Sequence, residues 1–220
     1  MNSWDEFLAP YGQAVSELKL KLNSLKQQLS YGNHHGPIEF VTGRVKSKES
    51  ILEKMNRRHI AKENLATDME DIAAVRIMCE FVDDIYEIVG ILRKRHDMQI
   101  IEERDYISHK KPSGYRSYHM IIKYPVELVS GTKYLKAEIQ IRTLAMNFWA
   151  TIEHSLNYKY KGHFPPEIEE RLRKTAEAAF LLDTEMSSIH DDILEAEKLF
   201  AQRNHEQTQS ERNAENKNEN

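Results

Sequence analysis

Glycine is scarce and wrongly spaced for a phosphate-cradling loop. None of the eight in this 220-residue chain falls into G-x-G-x-x-G or G-x-x-x-x-G-K-[ST], so by motif neither a dinucleotide fold nor a P-loop is supported. Cysteine is scarcer: Cys79 stands alone, which rules out an intramolecular disulfide and a thiolate zinc site. A reducing cytoplasm is the expected home. No stretch approaches the roughly 20 consecutive apolar residues of a membrane span, and Met1 to Pro10 lacks a basic segment followed by an apolar one. Basic residues are not in excess either. A net charge of -4 argues against wholesale non-specific binding to nucleic acid, so any cations that matter must cluster locally.

What is present reads as mixed α/β. Trp4, Leu8, Tyr11, Val15, Leu18, Leu22, Leu25 and Leu29 alternate steps of four and three, which predicts a long amphipathic helix stopped by Gly32 and Gly36-Pro37. Ile38 to Lys46 suggests a strand, and Ser47 is placed to cap a basic helix to Arg58 with Ile51, Leu52 and Met55 inward. The apolar run from Ile72 to Phe81 is the best central strand, with Arg76 the one charge in its middle and in need of an anionic partner. A helix from Asp83 to Lys94 and strands over Met98–Arg104 and His119–Tyr124 follow, and Asp105 to His119, with Pro112 and Gly114, is a binding loop. After Gly162 and Pro165-Pro166, Ile168, Leu172, Thr175, Ala179, Leu182, Met186, Ile189, Ile193, Ala196 and Phe200 give a second 3.5-residue seam. Such a helix can lie on the protein's own core, and a narrow seam on both terminal helices equally suits packing between subunits. Residues 1–200 read as one domain with helical extensions, and 201–220, rich in Asn, Gln and Glu, as a disordered tail.

The chemistry gathers around two acids. Glu138, Gln140 and Arg142 alternate with Ile139 and Ile141, so a strand from Tyr134 would present a polar face. It runs into a helix with Ala145, Phe148, Trp149, Ile152 and Leu156 on one side and Asn147, Thr151, His154 and Asn157 on the other. Asp71 stands at the mouth of the apolar strand. If the two strands are neighbours, Asp71 and Glu138 could share Mg²⁺, an oxygen-seeking ion that completes its shell with water and substrate phosphates. Without a glycine-rich loop, phosphate falls to side chains, and Arg44, Lys46, Lys48, Lys54, Arg57, Arg76, Arg104 and Lys111 lie around strand ends and loops. Such a set suits phosphoryl-type transfer, and Tyr115 can stack on a base. His34-His35, His96-Asp97 and His190-Asp191 lack zinc-site spacing; His119 is the histidine expected to touch an anion.

Four separated motifs, Gly43-Arg44-Val45-Lys46, Asp71 to Ile77, Ser113 to His119 and Glu138 to Thr143, resemble in order the synthetase motifs of the RelA/SpoT family. With Asn147 to His154, the chain is most similar to its small alarmone synthetases of the RelQ type. The resemblance implies a mixed sheet flanked by helices, related to the nucleotidyltransferase fold. It implies transfer of the β,γ-diphosphate of ATP to the 3'-hydroxyl of GDP or GTP with release of AMP, and no hydrolase half. On that basis Asp71 would hold Mg²⁺, while Glu138 would activate the hydroxyl and share the metal. Arg44, Lys46, Lys54, Arg57 and Arg76 would face ATP, with Lys111, Tyr115, His119, Gln140, Asn147 and Glu153 around the acceptor and Arg104 between the two. A homotetramer through the terminal helices is implied, as is regulation by pppGpp or single-stranded RNA, with Lys19, Lys21 and Lys26 lining that site. The alternative is a catalytically weak nucleotide- or RNA-binding regulator on the same fold.

Overall fold

The computed structural model describes residues 4–31, 36–160 and 164–218, with 158, 159 and 201–218 described for backbone alone. The chain runs α1 (Trp4–Ser30), β1 (Phe40–Val45), α2 (Lys48–Arg58), a 3₁₀ turn (Lys62–Asn64), α3 (Leu65–Asp68), β2 (Ala73–Cys79), α4 (Val82–Arg93), β3 (Gln99–Asp105), β4 (Tyr118–Leu128), β5 (Gly131–Thr143), α5 (Leu144–Tyr160) and α6 (Pro166–Asn218). The expected strands and helices are all present. The stop assigned to Gly32, the His34-His35 pair and Gly162 lie outside the described residues.

The five strands form one mixed sheet in the order β1-β2-β5-β4-β3, with β2 and β5 parallel and the other pairs antiparallel. Period-two alternation gives it two unlike faces. Val75, Ile77, Ile139, Ile141, Met120 and Ile122 turn to one side and form a single core with α1 and α4. The other side carries a polar row in cross-strand register, Thr42, Arg76, Gln140, His119 and Arg104, with Ala74, Glu138, Ile121 and Glu102 in the next row.

Of its two alternatives, α1 takes packing on the chain's own core. Tyr11, Val15, Leu18, Leu22 and Leu25 are buried in the chain's own core, so the 3.5-residue seam is used up against the sheet rather than kept for another subunit. A broad sheet face accepts a narrow apolar stripe as readily as a partner helix does, and periodicity does not separate the two cases. Gly43 marks a close approach of α1 to β1: a Cβ there would lie 2.8 Å from Val15 Cγ1. Of the basic residues proposed to line a regulatory site on α1, Lys21 pairs with Asp97 at 3.0 Å and lies over the Tyr124 ring, while Lys26 donates to the Glu39 carbonyl.

The inner face of α5 departs from expectation. Met146, Trp149 and Ala150 are buried, whereas Phe148 is 70% exposed and Leu144, Ile152 and Leu156 remain open. The reason is α6, which approaches from the Trp149 side: the indole N–H donates to the Leu172 carbonyl and to Thr175 Oγ1, both at 3.1 Å, beside Ala176 and Ala179. Farther along α6, Leu182, Met186, Ile189, Ile193 and Phe200 are exposed. The backbone continues helical to Asn218, past Phe200, where composition predicts a disordered tail. From Glu167 onward no Pro or Gly interrupts a run dominated by helix formers, so local propensity carries the helix on.

Asp183 fastens α6 to the end of the central strand, accepting a hydrogen bond from Thr143 Oγ1. Thr143 Oγ1 in turn accepts from the Met146 amide in the first turn of α5. Burial pushes the Asp183 carboxyl up to about 6 from 3.8, with the Thr143 hydroxyl opposing the shift. As pH rises, the unfolded chain ionises before the folded one, so this group's contribution falls between about pH 4 and pH 6 and is unfavourable at pH 7. Asp183→Asn is therefore expected to raise the melting temperature at pH 7 and to leave it unchanged near pH 4. Equal shifts at both pH values in a thermal scan would contradict that.

Candidate active site

Two acids sit where the polar face meets the surrounding loops. The Lys46 amide donates to the Ile72 carbonyl at 2.8 Å, which ties the end of β1 to the start of β2. Ser47 then caps α2, its Oγ accepting from the Ser50 amide. That turn delivers two ammonium groups to one carboxylate: Lys46 Nζ lies 3.0 Å from Asp71 Oδ2 and Lys54 Nζ 2.7 Å from Oδ1. Burial works to raise the Asp71 carboxyl, but the hydrogen bonds and charges of Lys54 and Lys46 outweigh it and hold it below the ordinary value.

Glu138 is more deeply enclosed, at 7% exposure. Oε1 meets His119 Nδ1 at 2.8 Å, and Oε2 accepts from Gln140 Nε2 at 2.7 Å. Burial pushes its carboxyl up, yet the His119 and Gln140 contacts prevail and keep it low, against the nearby negative charge of Asp71. His119 is itself lowered, first by burial and then by the charges of Arg142 and Lys111, with Glu138 opposing. The anion it meets here is the protein's own Glu138 carboxylate.

Beside this pair lies a cleft of about 300 Å³ lined by Arg44, Arg76, Tyr115, Gln140, Arg142, Ala150, Thr151, Glu153 and His154. Arg76 donates to the amide oxygen of Gln140 at 2.9 Å, and no carboxylate accepts from it among the described residues. Burial, Arg142 and Arg44 all disfavour its charge. Three guanidiniums against one carboxylate, Glu153, on the cavity wall make a site that favours an anion.

Tyr115 is held by its hydroxyl as well as its ring, the oxygen lying 2.8 Å from His119 Nε2 and 2.5 Å from Arg142 Nη2. Lys111 Nζ lies over the rings of Tyr106 and Tyr115 at 4.5 and 4.8 Å. Gly114 permits this loop to close. Its φ of +90° suits glycine, and a Cβ there would come within 2.6 Å of Ala176 Cβ on α6.

The other expected residues stand at different distances from this centre. Arg104 lies across from His119 in the sheet and pairs with Glu70 and Glu102 at 2.8 and 2.6 Å. Arg57 is exposed on α2 and does not line the cleft. Asn147 presents a buried Oδ1 that has no hydrogen-bond donor among the described residues, and it too is absent from the cleft wall. Four lining residues received no role from the sequence: Arg142, Ala150, Thr151 and His154. The signal for Arg142 was present, since it shares the alternating face of Glu138 and Gln140.

The arrangement has known counterparts. Residues 43–163 match the family model described as the region found in RelA / SpoT proteins. That match spans more than half of the chain. The chain belongs to the RelA/SpoT family. Within it the chain sides with the small alarmone synthetases, which are transferases. It is 53% identical over 200 residues to GTP pyrophosphokinase YjbM of Bacillus subtilis, covering 91% of this chain and 94% of that one. A GTP pyrophosphokinase family protein from Streptococcus pneumoniae superposes with a TM-score of 0.84 at 61% identity, covering 89% and 97% of the two chains. Small alarmone synthetase 1 of B. subtilis, solved with its product pppGpp, gives a TM-score of 0.84 at 54% identity over 86% and 97%. The mixed sheet flanked by helices matches these structures, and long terminal helices are present in this chain. Among the described residues, no helix is long and apolar enough to cross a membrane.

Proposed function

We propose that the chain is a Mg²⁺-dependent cytoplasmic (p)ppGpp synthetase that moves the β,γ-diphosphate of ATP onto the 3'-hydroxyl of GDP or GTP. The 3'-oxygen attacks Pβ, the bond from Pβ to the α,β-bridging oxygen breaks, AMP departs, and the hydroxyl proton passes to Glu138. The observation that carries this reading is one carboxylate, kept ionised by donors on both oxygens, beside a cleft of three guanidiniums. Arg44 and Arg76 would hold ATP, Lys46 and Lys54 would meet its phosphates beside Asp71, and Tyr115 with Lys111 would receive the acceptor base. That the B. subtilis relative was solved with pppGpp as its product supports GTP as one acceptor.

The donor set suits Mg²⁺ better than zinc. Among the described residues no group of three or more His, Cys, Asp or Glu could cage a metal, whereas Asp71 and Glu138 suit an ion that keeps waters and phosphate oxygens in its shell. When bound there, Mg²⁺ would neutralise phosphate charge.

Assembly would use α5 and α6 rather than both terminal helices. The exposed stripes of Phe148, Ile152 and Leu156 and of Leu182, Met186, Ile189 and Ile193 support a homotetramer, since α1 is spent on the core. Ile189→Glu is expected to yield a smaller species by light scattering; an unchanged mass would place the interface elsewhere.

For the reaction itself, thin-layer separation after incubation with γ-labelled ATP, GDP and Mg²⁺ is the test. Label in a guanosine tetraphosphate, with one AMP formed per product, is expected. ADP as the by-product, or no labelled guanosine species, would contradict it.

A further inference from the structure

The hydrogen bonds around Glu138 have a direction that can be deduced from donor and acceptor counting. Arginine has no acceptor and an ionised carboxylate has no donor, so a chain running from one to the other leaves every proton in between a single place. Arg142 Nη2 donates to the Tyr115 oxygen at 2.5 Å, so the Tyr115 proton must point away from Arg142. Ser117, the other side chain in reach of this hydroxyl, already has its Oγ accepting from Arg142 Nε, and the hydroxyl lies 2.8 Å from His119 Nε2, which therefore accepts and carries no proton. The imidazole proton is then on Nδ1, 2.8 Å from Glu138 Oε1. A doubly protonated imidazole would leave the Tyr115 proton between two donors, with no acceptor for it among these three groups.

A second chain ends on the other carboxylate oxygen: Arg76 Nε donates to Gln140 Oε1 at 2.9 Å, and Gln140 Nε2 to Glu138 Oε2 at 2.7 Å. Both chains start at a guanidinium and converge on Glu138. Arg142 is 4% exposed, donates also to Ser117 Oγ at 3.1 Å, and is thereby fixed in place.

We infer that the Tyr115 hydroxyl, oriented by Arg142, is a positioning group for the catalytic base: it sets the His119 tautomer that holds Glu138 in place. This role is separate from base stacking, which needs only the ring. It rests on the reading of Glu138 as the base. Without the hydroxyl, His119 is free to carry its proton on Nε2. A lone pair on Nδ1 would then face the carboxylate, and one of the two side chains would have to turn away.

Tyr115→Phe separates the roles because it keeps the ring. The expected result is a kcat lowered roughly 10- to 100-fold, the scale on which removing the partner of a functional histidine acts, with KM for GDP little changed. Arg142→Met should match it, and Arg142→Lys, which restores a donor without an acceptor, should recover part of the rate. In histidine-labelled protein, ¹⁵N NMR is expected to show His119, assigned by its loss in His119→Asn, with the proton on Nδ1 in wild type and on Nε2 or exchanging in Tyr115→Phe. A wild-type kcat in Tyr115→Phe, or an Nε2 proton in the wild type, overturns the inference. Absence of product from the wild type would instead overturn the functional reading, and the tautomer measurement decides the inference without it.

Discussion

Glu138→Gln is expected to lower alarmone synthesis by about 10³-fold, within the range general-base removal produces, while leaving the fold and ATP binding in place. An amide is nearly the shape of a carboxylate but cannot take the hydroxyl proton. It also conflicts locally. Both oxygens now accept, from His119 and from Gln140, so an NH₂ at either position meets a donor. That conflict costs about 1–2 kcal/mol, against which stands the relief of a buried charge. A melting temperature within a few degrees of wild type is therefore expected. Groups assigned to ATP, Arg44, Arg76, Lys46 and Lys54, keep their places, so calorimetric titration with a non-hydrolysable ATP analogue should give a similar Kd. Retention of more than about a tenth of the activity would remove Glu138 from the role of base.

Leu18→Ala is expected to cost about 3 kcal/mol of unfolding free energy, in the middle of the range for fully buried leucines. Leu18 has 0% exposure and lies against the sheet with Leu22 and Ile139 in the same core. Truncation leaves a hole that neither a helix nor a paired strand can move to fill. The same loss should appear in urea titrations at low and high protein concentration, with the oligomeric state unchanged. If the variant instead dissociated while its subunits kept their stability, the α1 seam would belong between subunits after all.

The strands were legible because period-two alternation and near-continuous apolar runs survive any tertiary arrangement. Ile139 and Ile141 went inward, and Ser47 capped its helix as its side chain suggests. Helix faces were harder. In α5 the side that is covered depends on where α6 lies, and nothing within residues 144–160 encodes that, so Phe148 looks as core-like as Trp149. On α1 a heptad-like seam was compatible with a sheet or a partner. The site residues were found one by one from their motifs, but their mutual hydrogen bonds were not. Glu138, His119, Tyr115 and Arg142 come from two strands and a loop, and only the register of β4 on β5, with His119 opposite Gln140, brings them into a line. The polar face read on β5 is itself enclosed: Glu138, Gln140 and Arg142 are all buried and hydrogen-bonded to neighbouring side chains.

A crystal of the protein with a non-hydrolysable ATP analogue, GDP and Mg²⁺ would measure the geometry on which this account depends. The ribose 3'-oxygen of GDP should lie within about 3 Å of a Glu138 carboxylate oxygen, with the ATP phosphates against Lys46, Lys54 and Asp71 and their metal between the acids. Nucleotides bound away from Glu138, or a 3'-oxygen aimed at another base, would contradict it.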